Sequence, residues 1–501
     1  MDKQTVNLGK LSRRRLLQSA GLAAIWPAAS RLVAAGKPAK PNIILVIGDD
    51  MTWHDCEPYG STIVKTPNMA RLASEGIRLD NMFTSTAMCA PTRQQLYTGL
   101  FPVRNGAYPN HSQIRSGIKT LPVYLKALGY RVGLVGKRHF GPAAQYPYEN
   151  LGILPKTAKA VADLTKTKAF VNRDASQPFC LVVCPSDAHG PWTRGDASKY
   201  PPAKITPPPY LPDTPETRTA LSHYYAEVTS LDDLLGEVLA MADAPKRKAN
   251  TIVMFTSEQG SSMPFGGKWS CHDTGLKTAF LVRWPGMVKP GSSSDALCQY
   301  VDVLPTMIEA AGGKPEALKA GRPDANGKTG FDGESLVGVL TGKAESHRKH
   351  VYGVHTTRGI INGNEAWPIR SVSDGRYKLI LNLNSGTPFS NVISAPRKGT
   401  KASTHRHEPD ALQSWAKAGG EAAKRAAFYT TRPAVELYDL KADPWELKNR
   451  AKDETLSAIR KRLEAQLATW MVSQGDQGMK TEKAARRRHG KSPAKPAKGK
   501  K

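Results

Sequence analysis

The sequence predicts an α/β fold, with a large, mostly parallel sheet sandwiched by helices and a smaller C-terminal α+β domain. Two observations support this prediction. In roughly the first 345 residues, short apolar segments alternate with helical segments, and each apolar segment ends at polar or charged residues. Further along, the pattern changes to short strand-like segments followed by a long helical segment, which is typical of an antiparallel sheet packed by a helix.

The strands of the parallel sheet are predicted from four apolar segments, at residues 42–48, 130–136, 179–184 and 251–256. Their nearly continuous aliphatic and β-branched residues suit strands that are buried on both faces. The polar residues that follow them are Asp49 and Asp50, Lys137 and His139, Asp187 and His189, and Glu258 and Gln259. Because ligands bind beyond the carboxyl ends of the strands in such sheets, we expect these four groups to form one site.

The intervening helices are predicted from apolar residues at helical spacing, over 67–76, 121–128 and about 214–242. C-terminal strands are expected at 351–354, 369–372, 377–381 and 436–440, with a helix at about 455–472. These elements divide the chain into a large domain over 37–345 and a smaller one over 346–478.

The chain has 501 residues, a formal net charge of +28 and a pI near 9.8. This balance favours polyanionic partners but does not bear on the fold. Residues 480–501 hold ten Lys or Arg against one acid, so we expect a disordered basic tail over 479–501. The tail either docks on a polyanion or, as we favour, is a solvated tail with no specific role. We expect no nucleic-acid partner.

The first 36 residues are typical of a targeting segment. A run of arginines at Arg13 to Arg15 precedes an apolar stretch that ends at Ala29, and small residues follow at Ala34 and Ala35. This pattern resembles a twin-arginine export signal that is cleaved near Ala35, although an ordinary basic N-terminal helix is the alternative. The resemblance implies export by the twin-arginine machinery to the periplasm or the extracellular space. No later segment has eighteen uninterrupted apolar residues, so we expect no transmembrane segment in the mature chain.

Six cysteines are too few for a disulfide scaffold. Cys180 and Cys184 lie four residues apart in a predicted strand, which places them roughly 13 Å apart. A disulfide cannot span that distance, so these two cannot pair.

Cys89 begins the most informative motif, Cys89-Ala-Pro-Thr-Arg-Gln-Gln-Leu-Tyr-Thr-Gly99. Pro91 favours the first turn of a helix, which places Cys89 at a helix N-terminus, where backbone N–H groups and the helix dipole favour an anion. Arg93, one turn later, adds a permanent cation on the same side. Taken alone, the motif also fits a buried structural cysteine. The carboxylate and amide oxygens of Asp49, Asp50, Glu258 and Gln259 select Ca²⁺ or Mg²⁺ rather than zinc.

The Cys89 motif resembles the signature C-x-P-[ST]-R of the type I sulfatases, which belong to the alkaline-phosphatase superfamily. Residues 129–139 are similar to the second sulfatase signature, with Gly133 at the usual Thr or Ser. His189 and Lys268 lie in segments similar to two further family motifs, and residues 435–449 are similar to the C-terminal one. The resemblance covers residues 41–478, and several stretches look closest to the heparan N-sulfatase branch.

The resemblance implies an alkaline-phosphatase-like fold and a formylglycine made from Cys89 by a maturation enzyme. The hydrated aldehyde would attack sulfur, and its second hydroxyl would then expel sulfate. One calcium ion would be bound by Asp49, Asp50, Glu258, Gln259 and position 89. The family usually has Asp with Asn or His where this chain has Glu258 and Gln259. The catalytic residues implied beside Cys89 are Arg93; Lys137 and Lys268, which neutralise sulfate; His139, which holds a diol hydroxyl; and His189, a general acid.

A polar loop of the smaller domain contains His355, Thr356 and Arg358. These residues are predicted to contact the sugar beside the sulfate, although a plain connecting loop is the alternative. The sequence as a whole predicts a sulfatase that hydrolyses a sulfate ester or sulfamate of a sulfated glycan. The alternatives are a phosphonate or phosphodiester hydrolase of the same superfamily and a polyanion-binding protein on a degenerate scaffold. The intact Cys89 and Arg93 speak against the last.

Overall fold

The computed structural model describes residues 40–155, 162–395 and 406–488. Its strands are β1 Asn42–Gly48, β2 Ile77–Leu79, β3 Met82–Phe83, β4 Arg131–Gly136, β5 Glu149–Asn150, β6 Phe179–Cys184, β7 Thr251–Ser257, β8 Lys277–Thr278, β9 Phe280–Arg283, β10 Ser292–Ser294, β11 Cys298–Gln299, β12 Val351–His355, β13 Ile369–Ser373, β14 Tyr377–Asn382 and β15 Val435–Asp439. Its helices are α1 Pro67–Ser74, α2 Cys89–Thr98, α3 Pro102–Asn105, α4 Leu121–Ala127, α5 Thr165–Asn172, α6 Pro215–Ala242, α7 Asp273–Leu276, α8 Val303–Ala310, α9 Val337–Leu340, α10 His407–Ala418, α11 Gly420–Thr430, α12 Ser457–Gln474 and α13 Met479–Arg488.

The central sheet has eight strands in the order β10-β2-β9-β7-β1-β6-β4-β5. The five strands from β7 to β5 pair in parallel, and β9 runs antiparallel to both β7 and β2. The four predicted strands are therefore neighbours in the middle of this sheet. The prediction of a mostly parallel sheet is confirmed, and the antiparallel strand β9 extends it on one side.

Side chains that alternate along β1 enter two separate cores. Ile44 and Val46 pack on one face with residues of α1 and α6, whereas Ile43, Leu45 and Ile47 pack on the other with residues of α2, α4 and α8. All five side chains are buried. Full burial of an aliphatic side chain contributes about 1.5–3 kcal/mol, so both faces stabilise the strand. The predicted helical layers on both faces of the sheet are confirmed.

The four-stranded antiparallel sheet β12-β13-β14-β15 lies in the C-terminal part of the chain. A third core joins it to α12 and α13 through Leu379, Leu437, Leu467 and Ala485, with Tyr108 from the first half of the chain. The prediction of an antiparallel sheet packed by a helix is confirmed.

The last described residues differ from the predicted basic tail. Residues 479–488, which composition placed in that tail, form helix α13, because Thr481, Glu482 and Ala485 are buried at helical spacing. The rest of the tail and the predicted signal peptide lie outside the described residues. All six cysteines are free and buried, which agrees with the exclusion of a Cys180–Cys184 pair. Among the helices of the described residues, none combines the length and the apolar character that a membrane crossing requires.

Candidate active site

The carboxyl ends of β1, β4, β6 and β7 meet at one edge of the central sheet because these strands are parallel neighbours. The strand ends are also tied together: the Asp49 N–H donates to the Asp187 carbonyl oxygen at 2.8 Å, and the Glu258 N–H donates to that of Gly48 at 2.9 Å. The structure thereby brings together the four polar groups that follow the strands.

Three buried carboxylates, from Asp49, Asp50 and Glu258, surround the Cys89 thiol. The Cys89 Sγ lies 3.7 Å from Asp49 Oδ1 and 4.0 Å from Asp50 Oδ1. The Gln259 amide nitrogen lies 3.5 Å from this sulfur and donates to Asp50 Oδ1 at 2.6 Å. One ligand atom each of Asp49, Asp50, Cys89 and Glu258 lie within 4.8 Å of one another. The predicted metal ligands therefore share one small volume.

Three cations neutralise these carboxylates. The ion pairs are Lys137 with Asp49, Lys268 with Asp50 and Arg93 with Glu258. Burial opposes ionisation of Asp49, but the Lys137 ammonium holds the pKa of this carboxyl well below its ordinary value. Burial likewise opposes the charge on Lys137, yet Asp49 raises the pKa of its ammonium. Asp49 and Lys137 are therefore both charged at neutral pH, whereas burial raises the pKa of Glu258 to about 7.

The donor set fits a hard divalent cation. Oxygen ligands lie 2.3–2.6 Å from Ca²⁺, so two ligands of one ion are at most about 5 Å apart, and the cluster meets this limit. The Gln259 Oε1 is buried and has no hydrogen-bond partner among the described residues. Turning this amide by half a rotation would direct that oxygen to the cluster. The extra methylene of Glu258 and Gln259, relative to Asp and Asn, does not move either residue out of the site.

Helix α2 begins at Cys89 and is buried along its whole length. The thiol thus lies at a helix N-terminus, as predicted. Gln94 connects this helix to two active-site loops, because its amide donates to the Ser112 carbonyl oxygen at 2.9 Å and accepts from the Gly141 N–H at 3.2 Å. Burial raises the pKa of the Cys89 thiol, and Glu258 adds to this effect. The unmodified thiol is therefore protonated at neutral pH and a weak nucleophile.

Two histidines border the thiol. The His189 Nε2 lies 3.6 Å from Asp50 Oδ2, and its Nδ1 lies 2.6 Å from the Gly190 carbonyl oxygen. Burial and the Lys268 ammonium lower the pKa of His189. Burial and the Lys137 ammonium lower the pKa of His139 well below its ordinary value. Both imidazoles are consequently uncharged at neutral pH, so His189 needs the negative charge of a substrate beside it before it can serve as an acid.

A cleft of about 850 Å³ opens over the thiol. Of the predicted catalytic residues, Cys89, Lys137, His139, His189 and Lys268 line it. Arg93 does not, because its side chain is fully buried behind Glu258 and also donates to the Lys137 carbonyl oxygen at 3.3 Å. The described structure therefore assigns Arg93 to positioning the site from beneath.

The predicted sugar-contacting loop is placed elsewhere. His355 and Thr356 are fully buried, and neither is among the described residues that line the cleft. Arg358 lines a different cavity. The prediction is wrong for His355 and Thr356, because His355 ends strand β12 and its side chain packs inward near Phe389. A contact between Arg358 and a sugar stays a prediction, since Arg358 is outside the described cleft lining but reaches that other cavity. The segment directly after Arg358, residues 359–361, does reach the cleft.

The sequence did not reveal several residues of the cleft. The His111 Nδ1 lies 2.7 Å from His139 Nε2, and both residues have positive φ angles, 57° and 45°. Trp269 and Asp50 share this uncommon backbone conformation, which costs of order 1–3 kcal/mol per residue and is concentrated at functional sites. Arg138 and Arg406 add cations to the cleft lining. The sequence signal for these cleft residues was their position beside recognised motifs, as for Arg138 between Lys137 and His139 and for Trp269 after Lys268.

Comparison with known proteins agrees with this geometry. The sulfatase family model matches residues 41–313. The chain is 34% identical over 451 residues to an ulvan-active sulfatase of Formosa agariphila, covering 87% of this chain and 81% of that protein. It is 26% identical over 473 residues to human N-sulphoglucosamine sulphohydrolase, covering 86% and 90%.

The fold is shared with solved structures as well. One of them, a protein in complex with its substrate D-glucosamine-2-N,6-O-disulfate, superposes with a TM-score of 0.65 at 19% identity and covers 88% of this chain and 99% of that chain. The resemblance seen in the sequence is confirmed by the family match and by the extent of the alignments. The chain belongs to the sulfatase family and is a sulfuric ester hydrolase.

Proposed function

We propose that this enzyme uses a formylglycine made from Cys89, together with a bound calcium ion, to remove sulfate from a sulfated glycan. The observation that carries the proposal is the position of Cys89 at the N-terminus of α2, within one cluster of three carboxylates and beside the ammonium groups of Lys137 and Lys268. Such an arrangement binds an anion directly over the residue that would attack it.

Each active-site residue has its own role in the proposed reaction. Converted to formylglycine, position 89 supplies a hydrated aldehyde whose hydroxyl attacks sulfur. A calcium ion held by Asp49, Asp50, Glu258 and Gln259 would supply positive charge beside the sulfate oxygens. Lys137 and Lys268 neutralise charge that develops on those oxygens. His189 donates a proton to the departing oxygen or nitrogen, and uncharged His139 accepts the proton of the second hydroxyl as sulfate leaves.

His111 is proposed to set the orientation of the His139 ring. The two rings share a 2.7 Å contact between nitrogen atoms, so one of those nitrogens must donate and the other accept. This contact fixes which nitrogen of His139 is free to take a proton.

The proposed substrate class follows from relatives and from charge. A relative acts on ulvan and another on N-sulphoglucosamine, as their names state. The cleft of this chain adds Arg138 to the lysines over the thiol, and also Arg406, which pairs with buried Glu408; an added cation suits a sugar with more than one negative group. Both sulfate esters and sulfamates fit this proposal. We also propose that residues 1–36 direct export through the twin-arginine machinery, to the periplasm or the extracellular space.

The deciding experiment is the mass of the peptide that contains Cys89, from protein produced with a formylglycine-generating enzyme. Conversion of the thiol to an aldehyde lowers the mass by roughly 18 Da, as the covalent route requires. The modified protein should release sulfate from a panel of sulfated and N-sulfated sugars, and the Cys89→Ala variant should not. An unchanged thiol in the presence of a competent maturation enzyme, or turnover by Cys89→Ala, contradicts the proposal. Faster cleavage of phosphonate esters than of every sulfate would favour the superfamily alternative.

A further inference from the structure

Helix α13 presents a dense row of positive charge. Its ten residues include five Lys or Arg and one acid, Glu482. The helix is firmly held: the Tyr108 hydroxyl donates to the Thr481 carbonyl oxygen at 2.9 Å, and Arg488 donates to the carbonyl oxygens of Gly106 at 3.0 Å and Gln113 at 2.8 Å. The backbone of α13 and the Arg488 side chain are therefore held against the body of the protein, and Lys480, Lys483, Arg486 and Arg487 are exposed along the helix.

A cavity of about 560 Å³ lies beside this helix. We call it the second cavity; its lining includes Arg358, Glu365, Glu482, Lys483 and Arg486. Arg358, Lys483 and Arg486 form no ion pair within the described part of the chain, and Lys483 and Arg486 are exposed. Glu482 is buried and accepts hydrogen bonds from the N–H and hydroxyl of Thr357, at 3.3 and 3.4 Å. Three cations thus face two acids, Glu365 and Glu482, and Glu482 already accepts hydrogen bonds within the protein, so the cavity offers a ligand a net positive charge.

Arg488, the last residue of α13, belongs to a second group of cations. Arg488 lies beside Arg115 and Arg322, and none of the three has an acidic partner among residues 40–155, 162–395 and 406–488. Burial lowers the pKa of Arg115 and of Arg488, and the neighbouring arginines lower it further. Like charges held together without a counter-ion disfavour the folded state, and an anionic ligand would relieve this repulsion.

The second cavity adjoins the active-site cleft. The Arg358 carbonyl oxygen accepts from the N–H of Asn110 at 3.1 Å, and Asn110 lines the cleft. The residues after Arg358, 359–361, line the cleft as well. On the other flank, Gln113 contacts Arg488 and is two residues from His111, a Cα separation of at most about 7 Å. Residues 358–361 therefore border both the cleft and the second cavity.

We infer that the second cavity and the exposed basic face of α13 form a second binding site, for sulfate or carboxylate groups on a neighbouring sugar of a polyanionic substrate whose reacting sulfate lies over Cys89. The inference rests on the proposed function and extends it from single sugars to chains. A basic helix whose only role is to be solvated does not require a polar cavity beside it. It also does not require that Arg488 lie close to Arg115 and Arg322.

The test compares a sulfated polysaccharide with a small aryl sulfate as substrates of the modified enzyme. The quantity compared is the ratio of kcat/KM on the polysaccharide to kcat/KM on the aryl sulfate. In the Lys483→Glu/Arg486→Glu double variant this ratio should fall ~10-fold, because each charge reversal changes one pairing with a substrate anion by about 0.5–1 kcal/mol. The matched control is Lys452→Glu/Lys461→Glu, which reverses two exposed lysines that line neither cavity. The control should leave the ratio within twofold of wild type.

A third variant, truncated after Arg488, separates α13 from the basic residues that follow it. An unchanged ratio in the α13 variant, an equal fall in the control, or a fall that appears only in the truncated protein would each overturn the inference. The same experiment keeps the two proposals apart. If the wild-type enzyme with verified formylglycine releases sulfate from neither substrate, the proposed function fails; if all variants cleave the aryl sulfate and the ratio does not change, only the second site fails.

Discussion

Calcium should raise the thermal stability of this protein by an amount that can be calculated. A ligand present at 100 times its Kd stabilises the native state by about 2.7 kcal/mol. Unfolding entropy near 60 °C is about 2.1 cal/mol/K per residue, which for roughly 430 described residues gives ~0.9 kcal/mol/K. The expected rise in Tm is therefore ~3 °C, measured by differential scanning calorimetry after chelation and again after addition of excess CaCl₂. The protein for this assay needs no activity.

Two variants make the calcium test specific. Asp50→Asn removes one carboxylate from the cluster and should abolish the calcium-dependent rise in Tm. Asp302→Asn removes an equally buried carboxylate that pairs with Arg348 outside the cluster, so it should lower Tm yet retain the rise. The reasoning is refuted if calcium leaves the wild-type Tm unchanged, or if both variants keep the full rise.

Two further predictions concern buried charges outside the cleft. Burial opposes ionisation of Glu436, but His272 and hydrogen bonds from Tyr438 and Asn382 lower its pKa to about 2. The stabilisation from the ionised carboxylate is complete above the unfolded-state pKa and is lost as pH falls. Between pH 5 and pH 3 the free energy of unfolding of wild type should therefore fall by about 2 kcal/mol more than that of Glu436→Gln. Parallel urea-unfolding profiles over that range would contradict this. Arg370 and Asp476 form a fully buried ion pair, so Asp476→Ala should reduce the free energy of unfolding by about 3–5 kcal/mol, whereas Glu421→Ala, at an exposed pair with Lys424, should cost less than about 1 kcal/mol. Similar urea midpoints for these two variants would contradict the burial argument.

The site edge could be predicted because the sheet is parallel. A strand buried on both faces has a continuous apolar sequence, so the first polar residue marks its end in the sequence. Asp49 and Lys137 are such residues, directly after β1 and β4. The pairing of β1 with β6 and β7 then brings residues that are about 140 and about 210 positions apart in the chain into contact. Periodicity and the rule for ligand sites in such sheets were enough to anticipate this.

Other features depend on contacts that no local pattern encodes. His111 belongs to the cleft because Gln94 holds the adjacent Ser112, and that contact links residues from separate elements. His355 lies in a stretch of polar residues, yet strand β12 directs its side chain into the interior. Helix α13 was hidden by its composition, since basic residues dominate and only three buried positions mark its inner face.

The burial of Cys89 determines the order in which modification, folding and export of the chain can occur. Only 3% of this residue is accessible, in a cleft whose lining combines the segments after β1, β4 and β6 with residues far along the chain, such as 359–361 and Arg406. An enzyme that oxidises the thiol could not reach it once these segments have assembled. Under the proposed function, modification therefore comes first, closure of the sheet second and passage of the finished protein across the membrane last. Protein that is folded before it meets the maturation enzyme should keep the mass of the thiol form.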